Sequence, residues 1–166
     1  MKIFETDSVD AVAELRCAFV ATPFGRTLTA CDHLGLCYAG FVVDGDCEAA
    51  LADLSRRFPA ARLVTDDECA VDIFGEVQSL HLVGTEFRRR VWRVLTDVKR
   101  GERISYSQLA ERAGVPRAVR AVASAVASNP VSIVVPCHRI IRNDGSTGRY
   151  FWGSELKRRL LEAEER

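Results

Sequence analysis

The sequence predicts an α+β protein in two parts: a small amino-terminal antiparallel sheet carrying one helix over residues 1–83, then a winged helix-turn-helix over residues 84–166. Three observations predict it. Before Gly84, short apolar segments alternate with turn residues and lead into one amphipathic stretch; after Gly84, three helical patterns follow in succession. Then a β-branched run between Pro130 and Pro136 ends on Cys137, the lone cysteine of the second half.

Residues 25–30 and 35–43 are mixed apolar segments separated by Cys31-Asp32-His33-Leu34, which has the composition of a hairpin turn, and Asp44-Gly45-Asp46 stops the second. Over residues 48–58, Ala49, Leu51, Ala52, Leu54 and Phe58 recur at helical spacing, and Pro59 ends the pattern. Beyond Gly84, Phe87, Val91, Val94, Leu95 and Val98 form an apolar stripe flanked by Arg88, Arg89, Arg90 and Arg93, a helix with a basic side. Ser105-Tyr106-Ser107-Gln108 has capping-box spacing for a second helix that Gly114 can close, and Pro116 stands where a third can begin. That third helix, residues 117–128, is Ala-rich and slim, which permits close approach to a neighbouring helix or a nucleic-acid groove. Residues 131–135 read as a short strand. Asn143-Asp144-Gly145 then turns between Ile140-Ile141 and residues 147–152 to make a wing, and Ser154 caps a last helix that buries Leu156, Leu160 and Leu161.

Composition narrows the function. The chain has 166 residues, 48% of them hydrophobic, enough for one good core or two small ones. No apolar run approaches the roughly 18 residues of a membrane span, and Met1-Lys2-Ile3-Phe4-Glu5 does not lead into the apolar segment of an export signal, so the expectation is a cytoplasmic protein with no membrane partner. The six cysteines are scattered, unlike a disulfide framework, and reduced thiols are the simpler reading. Net charge is zero, yet residues 1–83 hold 6 Lys and Arg against 14 Asp and Glu while residues 84–166 hold 17 against 9. A basic half joined to an acidic one suits a polyanion that meets the second half only; a solvated arginine-rich surface is the plain alternative.

Cys137 beside His138 is the chemical signal. An ordinary thiol is only a few per cent thiolate near neutrality, and each tenfold gain in acidity takes about 1.4 kcal/mol of preferential stabilisation of the anion. A neighbouring imidazole can supply it. On a strand adjacent residues face opposite ways, so His138 is expected to reach the thiol through a bend or a bridging water. The alternatives for Cys137 are an inert core thiol or one ligand of a metal site.

Pro136-Cys137-His138-Arg139, with Asn129-Pro130 upstream, resembles the active site of the O(6)-alkylguanine-DNA alkyltransferases, also called methylated-DNA protein-cysteine methyltransferases, in their Ada carboxy-terminal-domain-like branch. The similarity extends through Gly84-Thr85-Glu86-Phe87, Val91-Trp92, Gly101-Glu102, Ile104-Ser105-Tyr106, Gln108-Leu109-Ala110, residues 117–122 and Tyr150-Phe151-Trp152-Gly153, about half the chain. It implies a ribonuclease-H-like amino-terminal domain. It also implies a monomer without cofactor, acting on double-stranded DNA that carries alkylated bases. The flipped O(6)-methylguanine, with O(4)-methylthymine as a second substrate, passes its alkyl group irreversibly to Cys137, one turnover per molecule. By the same resemblance His138 removes the thiol proton through water, Glu164 orients His138, and Asn129 is the hinge to the active-site segment. Tyr106 hydrogen-bonds the flipped base, Lys157 and Tyr150 line its pocket, Arg120 enters the vacated stack, and Ser107 and Asn143 touch the DNA backbone. Family members bind the minor groove, where generic helix-turn-helix reasoning would choose the major one.

This chain departs from the family at Arg149 and Phe151, where relatives commonly carry glycine and arginine, and Trp152 is expected to narrow the pocket and favour methyl over benzyl. Some relatives bind zinc in the amino-terminal domain. Cys31-Asp32-His33 with Cys37 imitates part of such a site, but its spacing matches no common structural-zinc pattern, and no metal is expected. Two other classes compete: a DNA-binding sensor in which Cys137 is unreactive, and a cysteine hydrolase, for which no oxyanion-hole motif is evident.

Overall fold

The computed structural model describes residues 1–165, and they form two compact units. The first comprises residues 1–85 together with residues 130–134; the second comprises residues 86–129 and the described residues from 135 onward. The chain thus leaves the second unit after Asn129, contributes five residues to the first, and returns two residues before Cys137.

The first unit is built on a six-stranded sheet in the order β1-β6-β4-β3-β2-β5, where β1 is Lys2–Thr6, β2 Glu14–Thr22, β3 Gly25–Cys31, β4 Leu36–Phe41, β5 Arg62–Thr65 and β6 Ser79–Val83. The expected hairpin is present as the antiparallel pair β3–β4, and β2–β3 is antiparallel too. The sheet is larger than the sequence suggested and it is mixed, because β1–β6, β2–β5 and β4–β6 pair in parallel. Such pairs join distant segments, and no local turn signal announces them. Helix α1 (Cys47–Arg57) starts where expected: the Asp46 side chain accepts from the Ala49 amide at 2.8 Å, and Leu54 and Phe58 enter a core shared with Leu15, Leu28 and Tyr38.

The inserted residues are not a regular strand. Val131 forms one isolated parallel bridge to Ala39, fixed by Ala39 N to Pro130 O at 2.9 Å and Ser132 N to Ala39 O at 2.8 Å. At Ile133 the backbone turns into the left-handed region, φ +70°, a costly setting for a β-branched side chain. β propensity promised a strand over residues 131–135, but one turn of tight backbone is what returns the chain toward Cys137.

The second unit holds α2 (Glu86–Thr96), α3 (Tyr106–Arg112), α4 (Val119–Ala127) and α5 (Ser154–Glu164), with the short parallel pair β7 (Ile104–Ser105) and β8 (Ile140–Ile141). In α2, Val91, Trp92 and Leu95 are buried, and the Trp92 indole donates to the Ala125 carbonyl of α4 at 2.8 Å. The capping box is present at α3: Ser105 accepts from the Gln108 amide, and the Gln108 side chain accepts from the Ser105 amide. Gly114, at φ +70°, then releases the chain from that helix. Ser154 is the first residue of α5 rather than its cap; Gly153, at φ +98°, takes that place. The wing is reduced to its turn. Arg142 and Ser146 close it at 2.9 Å, but residues 147–150 form no strand, and β8 pairs with β7 instead. No helix of the described residues is long and apolar enough to cross a membrane.

Candidate active site

Cys137 opens a single 3-10 turn, residues 137–139, directly after Pro136. Its side chain is buried, yet it lines a cavity of about 280 Å³ with Tyr106, Asn129, Arg149, Tyr150 and Trp152 among its neighbours. That volume sits at the lower end of small-molecule pockets, about 300–1,000 Å³, and suits one planar ring system. Trp152 packs edge-on against both Tyr150 and Phe151, with ring centroids 5.3 and 5.1 Å away, forming one wall.

The protonation state differs from the sequence expectation. Burial pushes the Cys137 thiol up, against a hydrogen bond from Asn129, the Lys157 charge and a hydrogen bond from Tyr150, all of which pull it down. The resting thiol is therefore protonated. Any chemistry that uses the thiolate then needs a proton acceptor.

His138 is almost fully buried, and its Nε2 meets Glu164 Oε1 at 2.9 Å. Burial lowers its pKa, outweighing the Glu164 carboxylate, so the ring is neutral at pH 7 with its proton on Nε2 facing the carboxylate. Nδ1 then carries the lone pair, and it is buried with no protein hydrogen-bond partner. Among the described residues no hydrogen bond joins the thiol to this ring directly, as expected for adjacent residues.

Glu164 is held in turn. Arg139 Nε reaches both its oxygens at 3.1 Å and Nη2 reaches Oε1 at 2.8 Å, while Arg139 Nη1 donates to the Val98 carbonyl at 2.5 Å. Burial alone would raise the Glu164 carboxyl, but the hydrogen bonds from His138 and Arg139 bring it down to about 2. Arg139 belongs to the motif read from the sequence, yet its clamp on Glu164 carried no sequence signal: the two residues lie 25 positions apart.

Asn129 follows α4 and is buried; its Nδ2 donates to the Val135 carbonyl at 2.8 Å, tying the end of the helix to the residues before Cys137. Lys157, expected in the pocket lining, is not among the described residues that line this cavity. It is buried in α5, its Nζ donating to the Ile140 carbonyl at 2.6 Å, and desolvation lowers it to about 8. Its charge still acts on Cys137.

A second, more open groove of about 260 Å³ is lined by Tyr106, Ser107, Val119, Arg120, Ala123, Arg142 and Asn143. It gathers four of the residues singled out from sequence, and Asn143 Nδ2 donates to Ser107 Oγ at 3.2 Å. Tyr106 lines both spaces, so the groove and the thiol cavity share a wall. Arg142 was missed; its proximity to the turn residue Asn143 was the available clue.

In the first unit Asp32 and Cys37 do converge, but with His81 rather than His33. His81 Nδ1 meets Asp32 at 2.7 Å, its Nε2 meets Thr6 Oγ1 at 2.7 Å, and Asp32 accepts from the Leu34 and Gly35 amides. Each ring nitrogen and the carboxylate thus has a protein partner.

Residues 86–166 match the profile of the 6-O-methylguanine DNA methyltransferase DNA-binding domain. The inducible methylated-DNA–protein-cysteine methyltransferase of Bacillus subtilis is 39% identical over 123 residues, covering 67% of this chain and 69% of that protein. The chain belongs to this family. The bifunctional transcriptional activator/DNA repair enzyme Ada of Escherichia coli is 38% identical over 163 residues, which is 90% of this chain and 45% of Ada, so the chain spans about half the length of that alkyltransferase relative. Among solved structures, Mycobacterium tuberculosis OGT in complex with DNA superposes with a TM-score of 0.71 at 28% identity, covering 92% of this chain and 93% of that one. The O6-methylguanine-DNA methyltransferase of Pyrococcus kodakaraensis gives 0.67 at 26% identity over 90% and 98%. The mixed α/β architecture is thus that of the alkyltransferases.

Proposed function

We propose that this chain repairs double-stranded DNA by moving the methyl group of O(6)-methylguanine, and of O(4)-methylthymine as a second substrate, onto Cys137, once per molecule. The observation that carries the reading is a buried thiol facing a base-sized cavity, backed by a neutral histidine whose carboxylate partner fixes its tautomer. The first unit is read as the ribonuclease-H-like domain and the second as the winged helix-turn-helix, with the boundary at residues 83 and 84, and the protein as a cytosolic monomer needing no cofactor.

The geometry and the family resemblance together support this chemistry. A base stacked in a duplex cannot reach the cavity, so the nucleotide turns out of the helix at a cost of a few kcal/mol. Arg120 fills the gap it leaves, while Ser107 and Asn143 hold the backbone beside it in the minor groove. Tyr106 and Tyr150 receive the base. The Cys137 proton passes to His138 Nδ1 through water, Glu164 stabilises the imidazolium, and the buried Lys157 ammonium favours the thiolate. Sulfur attacks the methyl carbon, an S–C bond forms as the C–O bond breaks, and the electron pair stays on the purine, where Tyr106 stabilises it by hydrogen bonding. The product thioether is chemically stable, so each molecule reacts once. Asn129 keeps the loop that delivers Cys137 closed on the helix.

Incubating the protein with an O(6)-methylguanine duplex and mapping mass by peptide analysis tests this. One methyl per molecule on the Cys137 peptide is expected. Binding without modification would favour a lesion sensor instead, and repeated turnover would favour a hydrolase.

A further inference from the structure

Two sets stand out among the arginines of the second unit. Arg103, Arg112, Arg139 and Arg158 are consumed by carboxylates of the protein itself. Arg120, Arg142 and Arg149 have, among the described residues, no ion pair or hydrogen bond from their guanidinium groups, and all three line the groove or the thiol cavity. Uncommitted cations gathered on a concave surface are what an anionic ligand needs, because binding then breaks no existing pair.

Arg142 is the one that lines the groove and has its backbone and side-chain stem both held. Its backbone is fixed at the base of the turn, its amide donating to Ser146 O at 2.9 Å and its carbonyl accepting from Gly145 N at 3.0 Å. The side-chain stem lies over Gly148, close enough that a Cβ there would stand 3.5 Å from Arg142 Cγ; Gly148, at φ +69°, leaves that path open. Tyr106 and Arg142 line the same groove, close enough for the guanidinium charge to act on the phenol. The nearby Asp144 carboxylate accepts from the Ser146 amide at 2.9 Å and feels the Arg142 charge, but among the described residues no ion pair joins the two.

Resting on the repair reading, we propose that Arg142 is a backbone-anchoring residue that grips the phosphate of the extruded nucleotide, distinct from Arg120, which fills the stack. A base seated against Cys137 and Tyr106 carries its sugar and phosphate out past the shared wall, and a planar guanidinium at that point can meet two phosphate oxygens at once.

The test compares Arg142, Arg142→Gln and Arg142→Lys by anisotropy on a labelled O(6)-methylguanine duplex across a salt series, each in a Cys137→Ser background so that the base is not consumed, and by transfer rates, with Cys137 intact, to the same duplex and to free O(6)-methylguanine. The expected result is that the slope of log affinity against log salt falls by about 0.9 in Arg142→Gln and is kept in Arg142→Lys. The ratio of duplex to free-base transfer should fall about tenfold in the glutamine variant. An unchanged slope, equal losses on duplex and free base, or a lowered Tm accounting for the whole effect would each overturn the proposal. A wild type that binds but never methylates Cys137 would reject the repair reading, and the salt slope would still judge Arg142 by itself.

Discussion

The two units each contain a cysteine, a histidine and a carboxylate in close association, and on the proposed reading only one set reacts. In the first, Cys37 is fully buried beside His81 and Asp32, desolvation raises the thiol well beyond the range where it ionises, and both ring nitrogens of His81 are already occupied. In the second, Cys137 is also buried and also raised, but it lines a cavity, His138 keeps one ring nitrogen uncommitted, and a lysine ammonium acts on the sulfur. The residue types are nearly the same. What separates an inert thiol from a nucleophile is a place for the substrate, a spare lone pair for the proton, and a cation to favour the anion.

Substitution of the sulfurs gives the largest contrast. Cys137→Ser should reduce methyl transfer by more than about a thousandfold, since a hydroxyl is far less acidic and a poorer nucleophile. Cys37→Ala should leave transfer intact while lowering stability by about 1–2 kcal/mol through the small void it opens. Single-turnover assays and urea unfolding separate the two; transfer lost equally in both variants would erase the distinction.

The carboxylates come next. Glu164→Gln and Arg139→Gln should each slow transfer by about 10–100-fold, by loosening the group that orients His138. Asp32→Asn should not slow it, although the variant should unfold at lower urea. Glu164 also gives a pH signature. Its carboxyl lies at about 2 when folded against an ordinary 4.5, so its contribution to stability is complete above about 4.5 and is lost as pH falls toward 2. Unfolding free energies measured across that window should decline less steeply for Glu164→Gln than for the wild type.

Lys157 gives the smallest effect. Its folded value of about 8, against 10.5 for an ordinary lysine, means that the unfolded chain binds more protons between those values. Stability from this residue should therefore rise with pH across that window, and Lys157→Met should flatten the rise. At neutral pH the same variant should slow transfer by about tenfold, because the thiolate loses a favourable charge. A methionine variant with wild-type rate would leave the lysine a purely structural part.

Much of the second unit is legible in the residues because its signals are local. A capping box is four consecutive residues, a helix stripe repeats every turn, and Asn129, Cys137 and His138 lie within one short stretch. The strand expected at residues 131–135 failed for the complementary reason: β propensity measures how side chains fit a sheet, and here only Val131 meets one, while Ile133 is forced into a left-handed turn.

The sequence by itself singled out Cys137 and determined which helices form in the second half and that positive charge gathers there. Tertiary structure decided the rest. Only folding brings Thr6 to His81, 75 positions away, or Arg139 to Glu164, and only burial turns a thiol expected to ionise into one that must be deprotonated on demand. Short-range periodicity is written in neighbouring residues, whereas parallel pairing and desolvation are sums over partners distant in the chain, which no single stretch of it contains.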